Sequence, residues 1–261
     1  MSPSLDRFDA QMKTSGWAMF ERAVSPDALT AIGDDVTASV ADCAERQVRS
    51  GAVAAPDGTA HHAVGAYRSL DCFLENLPLK DEIGRYFGGA PYILHAFNPA
   101  TVAPQRSSYL HRIHRDVRTH AGDFRLLLNM LVMVDDFTSE NGATYVLSGS
   151  HRHPEPPSDA EFFDKADRLV GTRGSIVLFD SNLWHAAGAN QTATPRRALT
   201  LSFSRAFVKQ QMDYPRFLGA ETGARQSEWM RQLLGYNAMT PNSYEEFYRP
   251  PAQRLYRADQ G

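Results

Sequence analysis

Cysteine is nearly absent: Cys43 and Cys72 are the only two in 261 residues. Neither sits in a metal-ligand spacing, and two thiols make no disulfide framework. Long apolar runs are missing too. The longest, 126–134, is broken by Asn129 and is too short to cross a bilayer. The amino-terminal stretch MSPSLDRFDAQMKTSGW has no apolar segment of the kind that directs secretion. A soluble, cytoplasmic protein without a membrane partner is therefore expected. Excess positive charge is lacking as well. The formal net charge is −3 and the arginines are scattered, so phosphate backbones exert little pull and nucleic acid is not an expected partner. No internal repeat or flexible linker interrupts the chain.

Apolar residues make up 43% of the chain and charged residues 22%, enough for a sizeable core in one domain spanning 1–261. Its first part, to about residue 90, reads as helical. Ser25-Pro26-Asp27 combines a cap residue, a proline at the first helical position and an acid in the first turn. Leu29, Ile32, Val36, Val40 and Cys43 follow at helical spacing. The Gly- and Ala-rich stretch 50–63 reads as a loop. From about 91 to 207 the period shortens, with strands expected at 92–97, 125–134, 144–147, 175–179 and 196–207, separated by turn residues such as Glu140-Asn141-Gly142 and Thr172-Arg173-Gly174. Many short strands with turns between them predict a sandwich or barrel rather than alternating β and α units. The aromatic extension 208–261 suits a segment packed over the barrel, a lid or a homodimer contact.

His114-Arg115-Asp116 is an H-x-D triplet. Residues two apart on a strand point the same way, so an imidazole and a carboxylate can meet at one metal. His185, at the end of Leu178-Phe179-Asp180-Ser181-Asn182-Leu183-Trp184, is the best candidate for the third ligand. Two imidazoles and a carboxylate on one face of an octahedron leave positions for a chelating α-keto acid and for dioxygen, the pattern of non-haem Fe(II) oxygenases. By itself the triplet is a weak signal; Arg196, 11 positions after His185, strengthens it. A guanidinium there can grip the far carboxylate of 2-oxoglutarate. Parity favours Arg196 over Arg197. Arg196 shares a strand face with Ala198, Thr200, Ser202 and Ser204, small and polar residues, whereas Arg197 lies with Leu199, Leu201 and Phe203.

The succession HRD, DDFTSENGATYVLSGSH and FDSNLWHAAGANQTATPRRAL, over roughly residues 90 to 207, resembles the phytanoyl-CoA dioxygenase family. That resemblance implies a mainly β fold with flanking helices, a double-stranded β-helix or jelly roll of the cupin-like kind. It also implies an Fe(II)/2-oxoglutarate oxygenase using dioxygen, with ascorbate as a supporting reductant. Carried over, the iron falls on His114, Asp116 and His185 and the 2-oxoglutarate salt bridge on Arg196. Asn129 and Thr144 match positions that touch 2-oxoglutarate in relatives. His111 stands where relatives often have glutamine, which leaves its role open, and SGSH replaces the family's PGSH. Asp116 retains the carboxylate that related halogenases lack, so hydroxylation of a small organic, secondary-metabolite-type substrate is expected. Desaturation, ring closure and epimerisation share its first step and stay open. The alternatives are a metal-dependent isomerase or hydrolase on the same barrel, or a non-catalytic binding module. The other histidines have plainer readings. His151 and His153 lack a distant partner, His61 and His62 lie in a surface loop, His95 is structural, and His120 has a place near the mouth only as its second reading.

Overall fold

Two elements that periodicity does not single out come first, helix α1 (Pro3–Thr14) and strand β1 (Trp17–Phe20). Four residues are too few to show an alternation. The strand exists because Trp17 lies opposite Phe179 and Phe20 opposite Ile176 in a long-range antiparallel pair. Helix α2 (Pro26–Arg49) begins where its cap requires, with the Ala28 amide donating to the Ser25 hydroxyl at 3.4 Å. Leu29, Ile32 and Val36 on one of its faces are buried. The computed structural model describes residues 3–52, 56, 58–104 and 111–260; residues 53–55 and 57 of the expected loop lie outside that set. Helices α3 (Arg68–Glu75) and α4 (Lys80–Tyr86) complete the helical part.

All five expected strands occur, as β2 (Tyr92–Val102), β3 (Leu127–Met133), β4 (Tyr145–Val146), β6 (Ile176–Asp180) and β8 (Arg196–Arg205). Helix α5 (Asp159–Lys165) and the two-residue strands β5 (Asp167–Arg168) and β7 (His185–Ala186) lie among them. One antiparallel sheet has the order β1-β6-β3-β8-β2 and a second the order β5-β4-β7. Two such sheets with flanking helices make the jelly-roll arrangement that the sequence predicts.

Every residue of β3 is buried, because both faces of the large sheet are covered. Leu128, Met130 and Val132 join Leu178, Leu199, Leu201 and Phe203 in a core shared with the helical part. Leu131 and Met133 face the other way and pack with Val177, Phe179, Ala198 and Val146 between the sheets. The parity read along 196–205 therefore holds in space. Burying side chains of this size contributes about 1.5–3 kcal/mol each, which sets the register of β8 and with it the face on which Arg196 emerges.

The tail is helical in short pieces, α6 (Tyr214–Leu218), α7 (Ala220–Arg225), α8 (Glu228–Leu233) and α9 (Tyr244–Phe247). Side chains of Asp213, Ser227 and Ser243 accept from the first turns of α6, α8 and α9, the local signal by which they are specified. Tyr214, Met230, Leu233 and Leu234 enter the helical core, and the Trp229 indole donates to the Leu74 carbonyl at 2.9 Å. This half of the tail is packing. Phe217, Tyr244, Phe247 and Tyr248 stay exposed. No helix among the described residues is long and apolar enough to cross a membrane.

Candidate active site

His114 and His185 come together through their backbones before their side chains matter. The amide of each donates to the carbonyl of the other at 2.9 Å, an isolated antiparallel bridge on the edge of the small sheet. Their rings lie 4.2 Å apart between centroids. In His114 the Nδ1 atom is 2.8 Å from the Arg112 carbonyl, and in His185 it is 3.0 Å from the Leu183 carbonyl. A carbonyl only accepts, so both Nδ1 atoms carry hydrogen, and in the neutral rings of that tautomer the Nε2 atoms are those with the lone pair. Those nitrogens flank the Asp116 carboxylate, at 3.7 Å from Oδ1 for His114 and 3.8 Å from Oδ2 for His185. The three ligand atoms lie within 4.8 Å of one another. Burial pushes the His185 imidazole below its ordinary range, against the pull of Asp116, which keeps it neutral as a metal ligand must be. Among the described residues no second cluster of this kind occurs.

Asp116 arrives differently from the way its spacing suggests. Only His114 is paired as in a strand; Asp116 lies in the bend that follows, its amide donating to the Ser181 carbonyl at 3.2 Å. The turn carrying that carbonyl is itself held by Asp180, a buried carboxylate that sequence reading passed over. Asp180 accepts from the Tyr86 hydroxyl at 2.9 Å and from the Asn182 amide at 2.8 Å, with Arg125 at 3.6 Å. The signal was present: an acid ends the otherwise apolar strand Ile176–Asp180.

Arg196 is buried, at 3% exposure. Its Nε donates to the Asn141 carbonyl at 3.2 Å, and its guanidinium lies 3.8 Å over the Phe137 ring. Among the described residues no carboxylate forms an ion pair with it. Asp135, an acid whose charge acts on it, is engaged by Arg197 through the backbone amide at 2.7 Å and the side chain at 3.0 and 2.7 Å. Burial lowers the Arg196 pKa to about 10, although the guanidinium remains charged at neutral pH. Gly142, at φ +87°, brings Asn141 into place. A Cβ there would lie 2.5 Å from the Gly188 carbonyl, so the two loops meet backbone to backbone.

His111 is half-buried, and the Arg196 guanidinium is close enough to add to the effect of burial in lowering its basicity. Thr144 is buried just before β4. Asn129 is buried as well, and its amide donates to Asp116 Oδ2 at 2.7 Å. Structure thus places His111 beside the arginine and Asn129 beside the triad. Phe137 and Ser202, which sequence reading did not assign to the site, complete the surroundings of those two groups.

The other histidines separate clearly. His151 is buried with its carbonyl 3.1 Å from His120 Nε2, while His153 is exposed. His95 is less ordinary than its position within a strand suggested. It falls at the register shift between Leu94 and Ala96, and its buried Nδ1 atom has no hydrogen-bond partner among the described residues. His62 sits at φ +59° with Nδ1 3.0 Å from the Tyr214 hydroxyl. Burial, helped by His61 and His95, pushes its pKa from 6.5 down to about 4. Between those values the unfolded chain holds a proton that the folded one does not. Stability is therefore full above about pH 6.5 and declines as pH falls towards 4. The melting temperature of the metal-free protein should fall across that window, and His62→Gln should flatten the profile; identical profiles would count against the assignment.

Comparison with known proteins gives a family and a fold. The family profile described as phytanoyl-CoA dioxygenase (PhyH) matches residues 12–198. An uncharacterized protein of Mycobacterium tuberculosis is 35% identical over 170 residues, 65% of this chain and 61% of the relative. The chain thus spans less than two thirds of that relative's length. Dioxygenase cdmD of Talaromyces verruculosus is 27% identical over 168 residues, 61% of this chain and 52% of that protein. In fold, the chain is similar to the crystal structure of EctD from S. alaskensis with 2-oxoglutarate and 5-hydroxyectoine. The TM-score is 0.58 at 20% identity, covering 78% of this chain and 76% of the other.

Proposed function

Because the chain belongs to the phytanoyl-CoA dioxygenase family, by a match over residues 12–198, we propose that it is an Fe(II)/2-oxoglutarate-dependent oxygenase of a small organic substrate. The observation that carries this reading is the pairing of two features. One is a triad of two imidazoles and a carboxylate whose ligand atoms lie within 4.8 Å of one another. The other is a buried guanidinium with no carboxylate ion-paired to it among the described residues. A buried charge without its counter-ion is costly, and a dicarboxylate co-substrate supplies the missing partner. An isomerase or hydrolase would need the triad but not the arginine, and a binding module would need neither.

In this proposal His114, Asp116 and His185 hold the metal through His114 Nε2, a carboxylate oxygen and His185 Nε2. A ferrous ion held there supplies dioxygen activation coupled to decarboxylation of 2-oxoglutarate to succinate and CO2, the oxidising power for removing hydrogen from a substrate carbon. Arg196 grips the distal carboxylate of the co-substrate, with Phe137 holding the guanidinium plane. His111 lies beside that end, and Thr144 is assigned to it by the family resemblance alone. Asp116 fills the position that a halide would need, which favours hydroxylation. The scattered basic residues offer no cluster for a coenzyme A diphosphate, which favours a free metabolite as substrate.

The test is reconstitution without air. Adding 2-oxoglutarate to the Fe(II)-loaded protein should produce a visible absorption band, and admitting air with ascorbate should release succinate. Absence of both the band and the succinate would sink the proposal.

A further inference from the structure

Both oxygens of Asp116 face the space between the two imidazoles, Oδ1 at 3.7 Å from His114 Nε2 and Oδ2 at 3.8 Å from His185 Nε2. Nothing in those two distances stops the carboxylate from offering both oxygens to one cation. About a third of this side chain is accessible, and it lies in a bend rather than a strand, so the backbone alone leaves it some rotational freedom. A carboxylate that took two metal positions would remove one of those the co-substrate needs.

The sheet supplies a restraint. Asn129 Nδ2 donates to Asp116 Oδ2 at 2.7 Å, and Asn129 Oδ1 accepts from the Ser202 hydroxyl at 2.7 Å. The Asn129 amide is thus held on both sides by protein groups. Asn129 and Ser202 are directly opposed in the β3–β8 pair, and Asn129 is also opposed to Phe179 in the β3–β6 pair. The Phe179 ring lies 5.0 Å from that of His185. Three adjacent strands at the centre of the large sheet therefore carry the restraint. Asn129 itself is 3% exposed, so its amide has little freedom to turn away.

We propose that Ser202 and Asn129 form a positioning relay that turns Asp116 so that Oδ1 alone serves the metal, keeping Oδ2 engaged by the sheet and one coordination position free for 2-oxoglutarate. Asn129 then acts through Asp116 instead of by touching the co-substrate. The inference rests on the metal site of the preceding section and concerns how that site is kept open.

A relay of this kind separates two affinities that simple loosening would lower together. In Asn129→Leu the freed carboxylate closes onto the metal with both oxygens. Fe(II) affinity, measured by chelator competition, should change by less than about 3-fold, whereas the dissociation constant for 2-oxoglutarate, read from the anaerobic visible band, should rise by roughly 10–100-fold, the range found for outer partners of metal ligands. Ser202→Ala, a smaller change that preserves the fold if Asn129→Leu does not, should shift 2-oxoglutarate binding in the same direction by less, and Ser202→Thr should restore it. Parallel losses of Fe(II) and 2-oxoglutarate affinity would overturn the relay in favour of a purely structural role. Unchanged 2-oxoglutarate binding in both loss-of-contact variants would overturn it too. A wild-type protein that takes up no Fe(II) would remove the site itself, and this inference with it.

Discussion

His185→Ala should abolish tight Fe(II) binding and cut 2-oxoglutarate-dependent succinate release by more than about 100-fold. The outer hydrogen-bond partners of metal ligands are worth roughly 10–100-fold, and a ligand itself is worth at least as much. His185 contributes the buried imidazole of the triad, with its Nδ1 3.0 Å from the Leu183 carbonyl and its ring beside Phe179. The variant keeps the backbone bridge to His114, which uses only main-chain atoms, so the loss should appear in metal binding before it appears in folding. Binding by calorimetry or chelator competition, beside a melting curve, separates the two. Retained Fe(II) affinity in a folded variant would show that the metal, if any, lies elsewhere.

Arg196→Leu should raise KM for 2-oxoglutarate by about 10–100-fold while leaving Fe(II) affinity unchanged. Hydrogen bonds to a charged group are worth about 1.5–3 kcal/mol each, and about 1.4 kcal/mol is tenfold in binding. The same variant should melt no lower than the wild type in the absence of co-substrate. In that state the arginine keeps one hydrogen bond to the Asn141 carbonyl and its stacking on Phe137, but has no carboxylate ion-paired to it among the described residues, and Arg168 opposes its charge. Leucine removes the buried charge and keeps apolar contact with the ring. Arg196→Lys should recover only part of the affinity, because an ammonium lacks the planar fork that meets a carboxylate with two bonds. A KM equal to that of the wild type in Arg196→Leu would reduce this arginine to a scaffold role.

Much of the site was legible before any coordinate. Strand alternation in 196–205 put Arg196 and Arg197 on opposite faces, and in the structure the first is buried while the second pairs with Asp135. The three triad residues could be named from type and spacing. What escaped were groups whose meaning depends on a partner far along the chain. β1 is too short to announce itself and is made by pairing with β6. Asp180 reads as the polar end of a strand until Tyr86, from a helix, is found on it. The irregularity at His95 was equally hidden, because alternation cannot reveal a bulge, which exists only relative to the opposing strand. The tail helices carry legible signals in their capping side chains at 213, 227 and 243.

By itself the sequence determined the local chemistry: which side chains can hold a metal, which strand face is apolar and where the long helix begins. These follow from covalent spacing and the two backbone periods. Only the tertiary structure decided that His185 meets His114, that Asp116 turns towards both from a bend, and that Asn129 is spent on Asp116. Those outcomes depend on the register between strands distant in the chain, and register is set by how two buried faces of one sheet fill their cores together, a condition that no local stretch of residues contains.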